Sequence, residues 1–340
     1  MRAGMENWLV GHWYSTDSPP WFLRLLEPAY RTLFDRVQKK GNAEATRYRS
    51  GLPLIVVGNI TAGGSGKTPL VIHLCQIAKD LGFRPGIAST GYGRLSTDTI
   101  VVDAGCDPRV CGDEPLMLAR RTGIPVVVAK HRIDAIRKLN ELDLDLIFSD
   151  DGLQQADLDR DIEFCVVDGA RGLGNGHLLP AGPLRETAGR LAMVDYVITN
   201  GVWAGRPDDV DVNVMHLEAS QVCSLDAAGK IPVNEFKQMQ SGIEIHAMAG
   251  IGNPQRFFET LGSLGIQAVP HRFPDHHLFT PDDFKTIPPG SAIVMTEKDA
   301  VKCQELELEN AWYIPVETHL PDDFENIFRD HLTKLMKESQ

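Results

Sequence analysis

The fold of this chain is decided by the stretch Gly58-Asn59-Ile60-Thr61-Ala62-Gly63-Gly64-Ser65-Gly66-Lys67-Thr68-Pro69. It follows a short apolar run, 54–57, and precedes a helical pattern. Glycines before a GKT triplet, between a strand and a helix, are typical of a phosphate-binding loop (P-loop), whose backbone N–H groups turn toward the anion. Thr61 stands where such loops usually have their first glycine, so Gly63 and Gly64 must supply the backbone freedom.

These residues predict a site for Mg-ATP. Lys67 is expected to reach the β and γ phosphates, and Thr68 to place its hydroxyl on Mg²⁺. The alternative is a glycine-rich turn with a chance GKT triplet, and the flanking strand and helix argue against it. The predicted ATP-binding residues are Thr61, Ala62, Gly63, Gly64, Ser65, Gly66, Lys67 and Thr68.

Two adjacent carboxylates end another apolar strand. Asp150 and Asp151 follow the run 144–149, which reads LDLIFS. Because neighbouring carboxylates repel each other without a cation nearby, we interpret both residues as Mg²⁺ ligands. A second acidic pair, Asp113 and Glu114, begins a predicted helix. At that position capping alone explains acidic side chains.

Strand and helix patterns alternate from residue 54 to residue 199. Strands that alternate with helices form right-handed crossovers. We therefore predict an α/β fold of the P-loop NTPase type, with a mostly parallel sheet covered by helices on both faces. A glycine- and proline-rich loop at 169–183 is interpreted as functional. The predicted strands are 54–57, 84–89, 125–129, 144–149, 162–168 and 196–199, and the predicted helices are 68–81, 114–122 and 132–141.

The chain is predicted to hold two α/β units. Residues 49–205 form the P-loop domain, and the weak patterns of 206–240 are interpreted as a linker. A second, smaller α/β domain is placed at 241–336, and an amphipathic helical segment at 1–48. In the second domain we predict strands at 243–249, 267–269 and 292–296, a helix at 254–264 and the start of a helix at 281–285.

The first 40 residues differ from the rest of the chain because they hold three of its five tryptophans, Trp8, Trp13 and Trp21. Apolar side chains recur at helical spacing over 22–37, opposite arginines and lysines, and Pro28 is expected to kink this helix. Aromatic residues opposite arginine favour a helix in a membrane interface. A helix packed on the domain fits the pattern equally, and both can hold at once.

Composition restricts the partners. The formal net charge of −12 argues against a nucleic-acid partner, because phosphate contacts need clustered Lys and Arg. The six cysteines form no CxxC pair, so we expect free thiols in a reducing cytosol rather than a metal site. We also expect neither a signal peptide nor a transmembrane segment.

In this order the pieces resemble the tetraacyldisaccharide 4'-kinase family, the lipid A 4'-kinases of Gram-negative bacteria. The resemblance covers most of the chain. The altered P-loop joined to GDEP and DDGLQ is far more specific than a P-loop alone. The matching stretches are GNITAGGSGKTP at 58–69, GYGR at 91–94, GDEPLMLAR at 112–120, SDDGLQ at 149–154, GNGHLLPAGPLRE at 174–186, FPDHH at 273–277 and TEKDAVK at 296–302.

The resemblance implies transfer of the ATP γ-phosphoryl group to the 4'-hydroxyl of an acylated glucosamine disaccharide 1-phosphate lipid, giving lipid IVA. It further implies that Asp113 is the general base, paired with His276 rather than His277, and that Glu114 attends the metal with Asp150 and Asp151. The second domain is then expected to close over the nucleotide and deliver His276. The enzyme is expected at the cytoplasmic face of the inner membrane, with residues 1–40 on the membrane surface.

Further residues in the matching segments are candidates for substrate contact. Arg132 is the strongest candidate for the phosphate of the disaccharide, because its guanidinium is a planar fork of donors. Two positions depart from the family as it is known: Thr90 precedes GYG where Arg is frequent, and Gln155 follows DGLQ where His is frequent. The predicted substrate-binding residues are Tyr92, Arg132, Gln154, Asn175 and Glu186.

Two other functions compete with this one. A P-loop GTPase or ATPase switch would need an Asn/Thr-Lys-x-Asp tetrad to select guanine, and in Thr296-Glu297-Lys298-Asp299 the Lys and Asp are adjacent instead. A kinase of a soluble small molecule would use residues 1–40 only for packing.

Overall fold

Two β-sheets with helices around them build the protein, for which a computed structural model describes residues 2–15, 17–41, 47–226 and 229–339. The first sheet contains β1 (Leu54–Gly58), β2 (Pro85–Ser89), β3 (Ile100–Val102), β4 (Val126–Val128), β5 (Leu146–Asp150), β6 (Ile162–Asp168), β7 (Tyr196–Asn200), β8 (Asn213–Glu218) and β15 (Glu317–His319). The second contains β9 (Gln221–Ser224), β10 (Lys230–Pro232), β11 (Ile245–Ala249), β12 (Val269–Arg272), β13 (Ala292–Thr296) and β14 (Ala311–Ile314).

The helices are distributed along the whole chain. The described α-helices are α1 (Arg2–Trp13), α2 (Trp21–Gly41), α3 (Lys67–Asp80), α4 (Pro108–Cys111), α5 (Asp113–Thr122), α6 (Arg132–Leu139), α7 (Val233–Met239), α8 (Pro254–Ser263), α9 (Glu297–Cys303) and α10 (Asp322–Glu338). Within the described ranges, two short 3-10 helices lie at Ala188–Met193 and Pro281–Phe284. The predicted start of a helix at 281–285 is therefore a single 3-10 element.

The first sheet has the strand order β15-β8-β7-β6-β1-β5-β2-β4-β3, and only its two edge strands run antiparallel to their neighbours. Its central strands β1 and β5 are buried along their whole length, as strands covered on both faces must be. The register pairs Val57 of β1 with Asp150 of β5. Because β1 and β5 are parallel, this pairing brings the P-loop and the acidic pair together at the carboxyl ends of these central strands.

Side chains of β1 alternate between two hydrophobic cores. Ile55 and Val57 face one core with helices α3, α5 and α10, where Phe328 of α10 is fully buried. Leu54 and Val56 face the other core with α6. The predicted α/β sheet with helices on both faces is thereby confirmed.

The second domain is a smaller α/β unit with the strand order β10-β9-β14-β13-β11-β12. Its strands β14, β13, β11 and β12 run parallel, and β9 and β10 add an antiparallel hairpin. Phe236 of α7 and Phe257 of α8 pack into its core.

The chain crosses between the two sheets twice. Residues 213–239, interpreted from sequence as a linker, instead form β8, β9, β10 and α7, so the linker prediction was wrong there; residues 227–228 lie outside the described part. At the far end, β15 pairs with β8 and α10 packs into the core of the first domain. The second domain therefore spans 219–316, and the prediction that it reaches residue 336 is corrected.

The N-terminal helix α2 packs through one face only. Tyr30 Oη donates to the carbonyl of Arg185 at 3.0 Å, and Glu27 binds the His177 ring at 2.9 Å. Its opposite face leaves Trp21 74% and Leu25 68% exposed. The helix continues through Pro28, and α1 precedes it within the segment 1–48 that was predicted to be helical. Met1, Thr16 and 42–46 of the predicted segment 1–48 lie outside the described residues.

None of the described helices combines the length and the apolar character that a bilayer-spanning segment needs.

Candidate active site

The P-loop joins β1 to α3 through two glycines in the left-handed region. Gly63 has φ 104° and Gly66, the N-cap of α3, has φ 96°. These values explain the glycines, because residues with a Cβ atom avoid this region. A Cβ atom on Gly66 would also lie 2.5 Å from Nδ2 of Asn200, which donates to the carbonyl of Ser65 at 3.1 Å. Asn200 was not predicted as a site residue.

The entry to the loop is packed against the segment 183–185. The Ala62 amide donates to the Pro183 carbonyl at 2.7 Å, and Thr61 forms a β-bridge with Leu184. The amide of Ala62, a predicted ATP-binding residue, is therefore already paired within the protein. Thr61 is buried as well. This packing accounts for threonine in place of the usual glycine.

Lys67 lies in the first turn of α3 and faces the acidic pair. Its Nζ is 3.5 Å from Oδ1 of Asp151, and Nη1 of Arg185 is 3.2 Å from both carboxylate oxygens of the same residue. Burial alone would raise the pKa of Asp151, but these cations lower it to about 2. Asp151 is therefore ionised and paired within the protein. Thr68 is half-buried in the same turn.

Asp150 forms no ion pair within the described part of the chain, although the charges of Lys67 and Arg132 act on it. It is buried, and its Oδ1 has no hydrogen-bond partner among the described residues. Burial, followed by the negative charge of Glu114, raises the pKa of Asp150 to about 7. Buried charges are normally paired or bound to a metal. The two predicted metal ligands therefore differ, since Asp151 is paired with Lys67 and Arg185, whereas Oδ1 of Asp150 has no described partner.

Asp113 begins α5 and is buried beside His276 of the second domain. Nδ1 of His276 lies 3.1 and 3.0 Å from the two carboxylate oxygens of Asp113. Burial alone would raise the pKa of Asp113, but the hydrogen bond from His276 and the charges of Lys298 and Lys302 lower it to about 2. His276 has φ 59°, a strained value for a residue with a side chain. The predicted pair thus comes together in the structure.

Two lysines at this site were missed by the sequence reasoning. Lys298 Nζ lies 2.9 Å from Oε1 of Glu114, and Lys302 Nζ lies 3.9 Å from Oδ2 of Asp113. Both belong to α9, four residues apart and hence on one face. The segment TEKDAVK, which contains both lysines, was used in the sequence analysis as a family match and in a comparison with a guanine-binding tetrad, but neither use assigned a role to Lys298 or Lys302.

Two of the five predicted substrate residues, Tyr92 and Arg132, differ sharply in exposure. Tyr92 is 70% exposed, and its ring lies 5.2 Å from that of His276, which places it at the mouth of the site. Arg132 is only 3% exposed. It donates to Ser149 Oγ at 2.9 Å and to the Asp151 carbonyl at 2.9 Å. The prediction for Arg132 is corrected, because its guanidinium supports the acidic turn from inside and is not open to a substrate phosphate.

The other three predicted substrate residues bind neighbouring protein groups. Gln154 donates to Glu186 at 2.6 Å and to the Asn59 carbonyl at 2.9 Å, so this pair supports the back of the P-loop. Asn175 donates to the Ala181 carbonyl at 3.0 Å within its own loop. None of these contacts is with the pair Asp113 and His276.

A second contact between the domains lies beside the P-loop. Arg256 of α8 donates to Oδ1 of Asn200, and its Nη1 lies 3.6 Å from Oδ2 of Asp168. Because Asn200 also holds the Ser65 carbonyl, this contact links the second domain to the phosphate site. Neither Arg256 nor Asp168 carries a sequence signal that would have identified it.

The donor set suits a hard cation bound to phosphate. Within the part of the chain that the structure describes, no three His, Cys, Asp or Glu residues converge as a self-contained metal site. Mg²⁺ at nucleotides usually takes only one or two carboxylates, together with phosphate oxygens and water. The unpartnered Oδ1 of buried Asp150, on which the charge of Lys67 in the first turn of α3 also acts, fits that requirement.

Comparisons with known proteins agree on one family. The family model of LpxK, tetraacyldisaccharide-1-P 4'-kinase, matches residues 19–333. A tetraacyldisaccharide 4'-kinase of Shewanella amazonensis is 40% identical over 353 residues, covering 99% of this chain and 98% of the relative. One of Hahella chejuensis is 42% identical over 328 residues, covering 94% and 95%.

The fold is shared with a solved member of that family. LpxK from Aquifex aeolicus, crystallised in complex with ATP, has a TM-score of 0.74 to this chain at 27% identity, covering 93% of this chain and 97% of that one. The predicted fold class and the predicted resemblance are both confirmed. With its P-loop and its acidic pairs in place, the chain belongs to the tetraacyldisaccharide 4'-kinase family.

Proposed function

We propose that this protein transfers the γ-phosphoryl group of ATP to the 4'-hydroxyl of a tetraacyldisaccharide 1-phosphate. The observation that carries the proposal is the contact between Asp113 and His276, which come from different domains. Glu114, the neighbour of Asp113, is close enough to Asp150 for its charge to raise the pKa of that residue, so the contact lies beside the acidic pair and the P-loop. A phosphate-binding loop is expected in a P-loop GTPase or ATPase switch as well, so the loop alone does not indicate a kinase. A buried carboxylate and imidazole beside it supply a proton acceptor for a hydroxyl group.

Asp113 is proposed as the general base. In a loose transition state the hydroxyl proton becomes acidic late, as the oxygen bonds to the phosphorus and ADP leaves. The hydroxyl proton then passes to a carboxylate oxygen of Asp113. Because the pKa of Asp113 is lowered to about 2, the carboxylate is ionised and ready at neutral pH. His276 holds its orientation through Nδ1.

Mg²⁺ is proposed as the cofactor, held by Asp150, Thr68 and Glu114 together with the phosphates of ATP. When bound, it neutralises charge that develops on the transferred group. Lys67 is proposed to bind the β and γ phosphates, which requires it to exchange its contact with Asp151 for the nucleotide. Arg185 stays with Asp151 during that exchange and keeps the carboxylate paired.

The proposed localisation of the enzyme is the cytoplasmic face of the inner membrane, with helix α2 on the lipid surface. Its outward face carries Trp21, Leu25 and Leu33, the last 62% exposed, in a helix whose last turn is basic. This is the composition of an interfacial helix. The opposite face of the helix packs against residues 177–185. Because this segment also contacts the P-loop and Asp151, the acyl chains of a membrane-held acceptor would lie near the active site.

The membrane proposal is tested by flotation with anionic phospholipid vesicles. Replacing Trp21 and Leu25 by serine removes two exposed apolar side chains and leaves the packed face intact. We expect the bound fraction to fall about 10-fold or more. The matched control replaces Ile327 of α10, which is 56% exposed on another face, by serine. Equal binding of both variants would contradict the proposal.

The activity is tested with γ-labelled ATP and a panel of acceptors. We expect label on the tetraacylated disaccharide 1-phosphate and none on the same lipid without its 4'-hydroxyl. Label on a soluble sugar alone would establish the soluble-kinase alternative. Hydrolysis of GTP with no acceptor labelled would establish the switch.

A further inference from the structure

We propose that Lys298 is a positioning residue that holds the general base and its histidine together across the two domains. The inference rests on the proposed function, since it takes Asp113 and His276 as the acceptor side of the reaction. Lys298 itself is not proposed to touch substrate. It acts through the three carboxylates around it.

The ammonium group of Lys298 sits at the centre of the catalytic cluster. Its Nζ lies 2.9 Å from Glu114 Oε1, 3.2 Å from Asp275 Oδ1 and 4.0 Å from Asp113 Oδ2. It is also 3.5 Å from Nε2 of His276. Glu114 and Asp113 belong to the first domain, whereas Asp275 and His276 belong to the loop of the second. One cation therefore bridges the two halves of the site.

The other lysine on this face of α9 does not replace the contact. Lys302 lies on the same face of α9, but its Nζ is 2.7 Å from Oδ1 of Asp299 and is committed to that buried carboxylate. Without Lys298, the described side chains that remain to compensate the three carboxylates are His276 and Lys302. Like charges at such distances repel. The loop with Asp275 and His276 would move away from Asp113.

Helix α9 is held independently of Lys298, so the contact can be removed without unfolding the helix. Arg121 of α5 binds both carboxylate oxygens of Glu297 at 3.1 and 2.9 Å. Val301 is buried in the core of the first domain. Thr296 caps the helix by accepting from the Asp299 amide. A substitution at position 298 is thus expected to change the site and to leave the fold in place.

The test compares Lys298→Met with Lys298→Arg and with Lys285→Met as a matched control, because Lys285 is an exposed lysine of the same domain. We expect Lys298→Met to lower kcat about 10- to 100-fold while KM for ATP changes by less than about 3-fold. Lys298→Arg should recover most of kcat, because it retains the charge. A rise in KM for ATP with kcat unchanged would overturn the proposal.

The effect should also depend on the histidine. If Lys298 acts by holding His276 against Asp113, then Lys298→Met in a His276→Ala background should lower kcat by less than about 3-fold further. A full multiplicative loss in that background would show an independent role and overturn the positioning assignment.

Amide hydrogen exchange gives a readout that needs no acceptor lipid. In Lys298→Met we expect exchange of residues 273–277 to become about 10-fold faster, with strands β1 and β5 unchanged. Unchanged exchange at 273–277 would overturn the inference whatever the activity. Absence of lipid phosphorylation by the unsubstituted enzyme would instead refute the proposed function, so the two failures are distinguishable.

Discussion

The phosphate side and the acceptor side of this site are built in different ways. The P-loop is one continuous stretch between β1 and α3, and it depends on backbone conformation at Gly63 and Gly66. The acceptor side consists of charged side chains from two domains, with Asp113 from one and His276 from the other. The first exists as soon as the P-loop domain folds. The second exists only while the two domains are in contact.

The comparison predicts that damage to the phosphate side abolishes the reaction. In Lys67→Met the cation for the β and γ phosphates is lost, and we expect kcat/KM to fall about 10³-fold or more. Lys79→Met is the matched control, since Lys79 lies in the last turn of the same helix and donates to the Thr122 carbonyl at 3.1 Å, away from the P-loop. Steady-state kinetics of both variants checks this. Activity of Lys67→Met within tenfold of the unsubstituted enzyme would be incompatible with the P-loop assignment.

Damage to the base should affect turnover and spare the nucleotide. We expect Asp113→Asn to lower kcat about 10²-fold or more, because the amide cannot accept the proton, while the Kd for ATP stays within about 3-fold. Asp282→Asn, at an exposed position of the second domain, serves as control. Titration calorimetry with ATP and turnover assays measure the two quantities. If ATP affinity fell as much as kcat, the proposed separation between the phosphate side and the acceptor side would be contradicted.

Removal of the histidine should give a smaller loss that depends on pH. His276 lowers the pKa of Asp113, so His276→Ala raises that pKa and leaves less of the ionised base on the acidic side. We expect kcat to fall about 10-fold at neutral pH and the acidic limb of the pH–rate profile to move to higher pH. His277→Ala is the neighbouring control, because His277 binds Asp283 at 3.1 Å instead. An acidic limb that stays in place in His276→Ala would separate His276 from the base.

The smallest effect is expected where the second domain touches the P-loop side. Arg256→Ala removes a partly exposed contact with Asn200, and such contacts contribute about 1 kcal/mol or less. We expect KM for ATP to rise about 2- to 5-fold with kcat nearly unchanged. Arg329→Ala removes a similarly exposed ion pair, 3.7 Å from Asp80, and should leave both constants unchanged. A larger effect of Arg256→Ala on kcat than on KM would place this contact on the acceptor side.

The sequence allowed the P-loop domain to be predicted because its signals are local. Short apolar runs predict strands that coincide closely with β1, β5 and β6, and the glycines beside Lys67 predict the loop. Three-dimensional proximity has no such signal. The partnership of Asp113 with His276 came from family resemblance, since 163 positions separate them.

Two errors show where local patterns fail. Arg132 has the chemistry of a phosphate ligand, yet its side chain turns inward to the carbonyls of the acidic turn. Burial decides that role, and no residue next to Arg132 reveals it. The second error is the predicted boundary of the second domain at residue 336. The apolar residues of helix α10, including Phe324 and Phe328, recur at helical spacing, but this spacing does not reveal that they pack into the core of the first domain.

The double crossing between the sheets makes the second domain an insertion with adjacent ends. Glu218 of β8 and Glu317 of β15 are paired neighbours in an antiparallel ladder, so their Cα atoms are about 5 Å apart. A tight two-residue turn can connect strands at that spacing. Excision of residues 219–316 is therefore expected to leave all nine strands of the first sheet on one continuous chain. Such a minimal protein would retain the P-loop without His276 or Lys298, and nucleotide binding could then be measured apart from phosphoryl transfer.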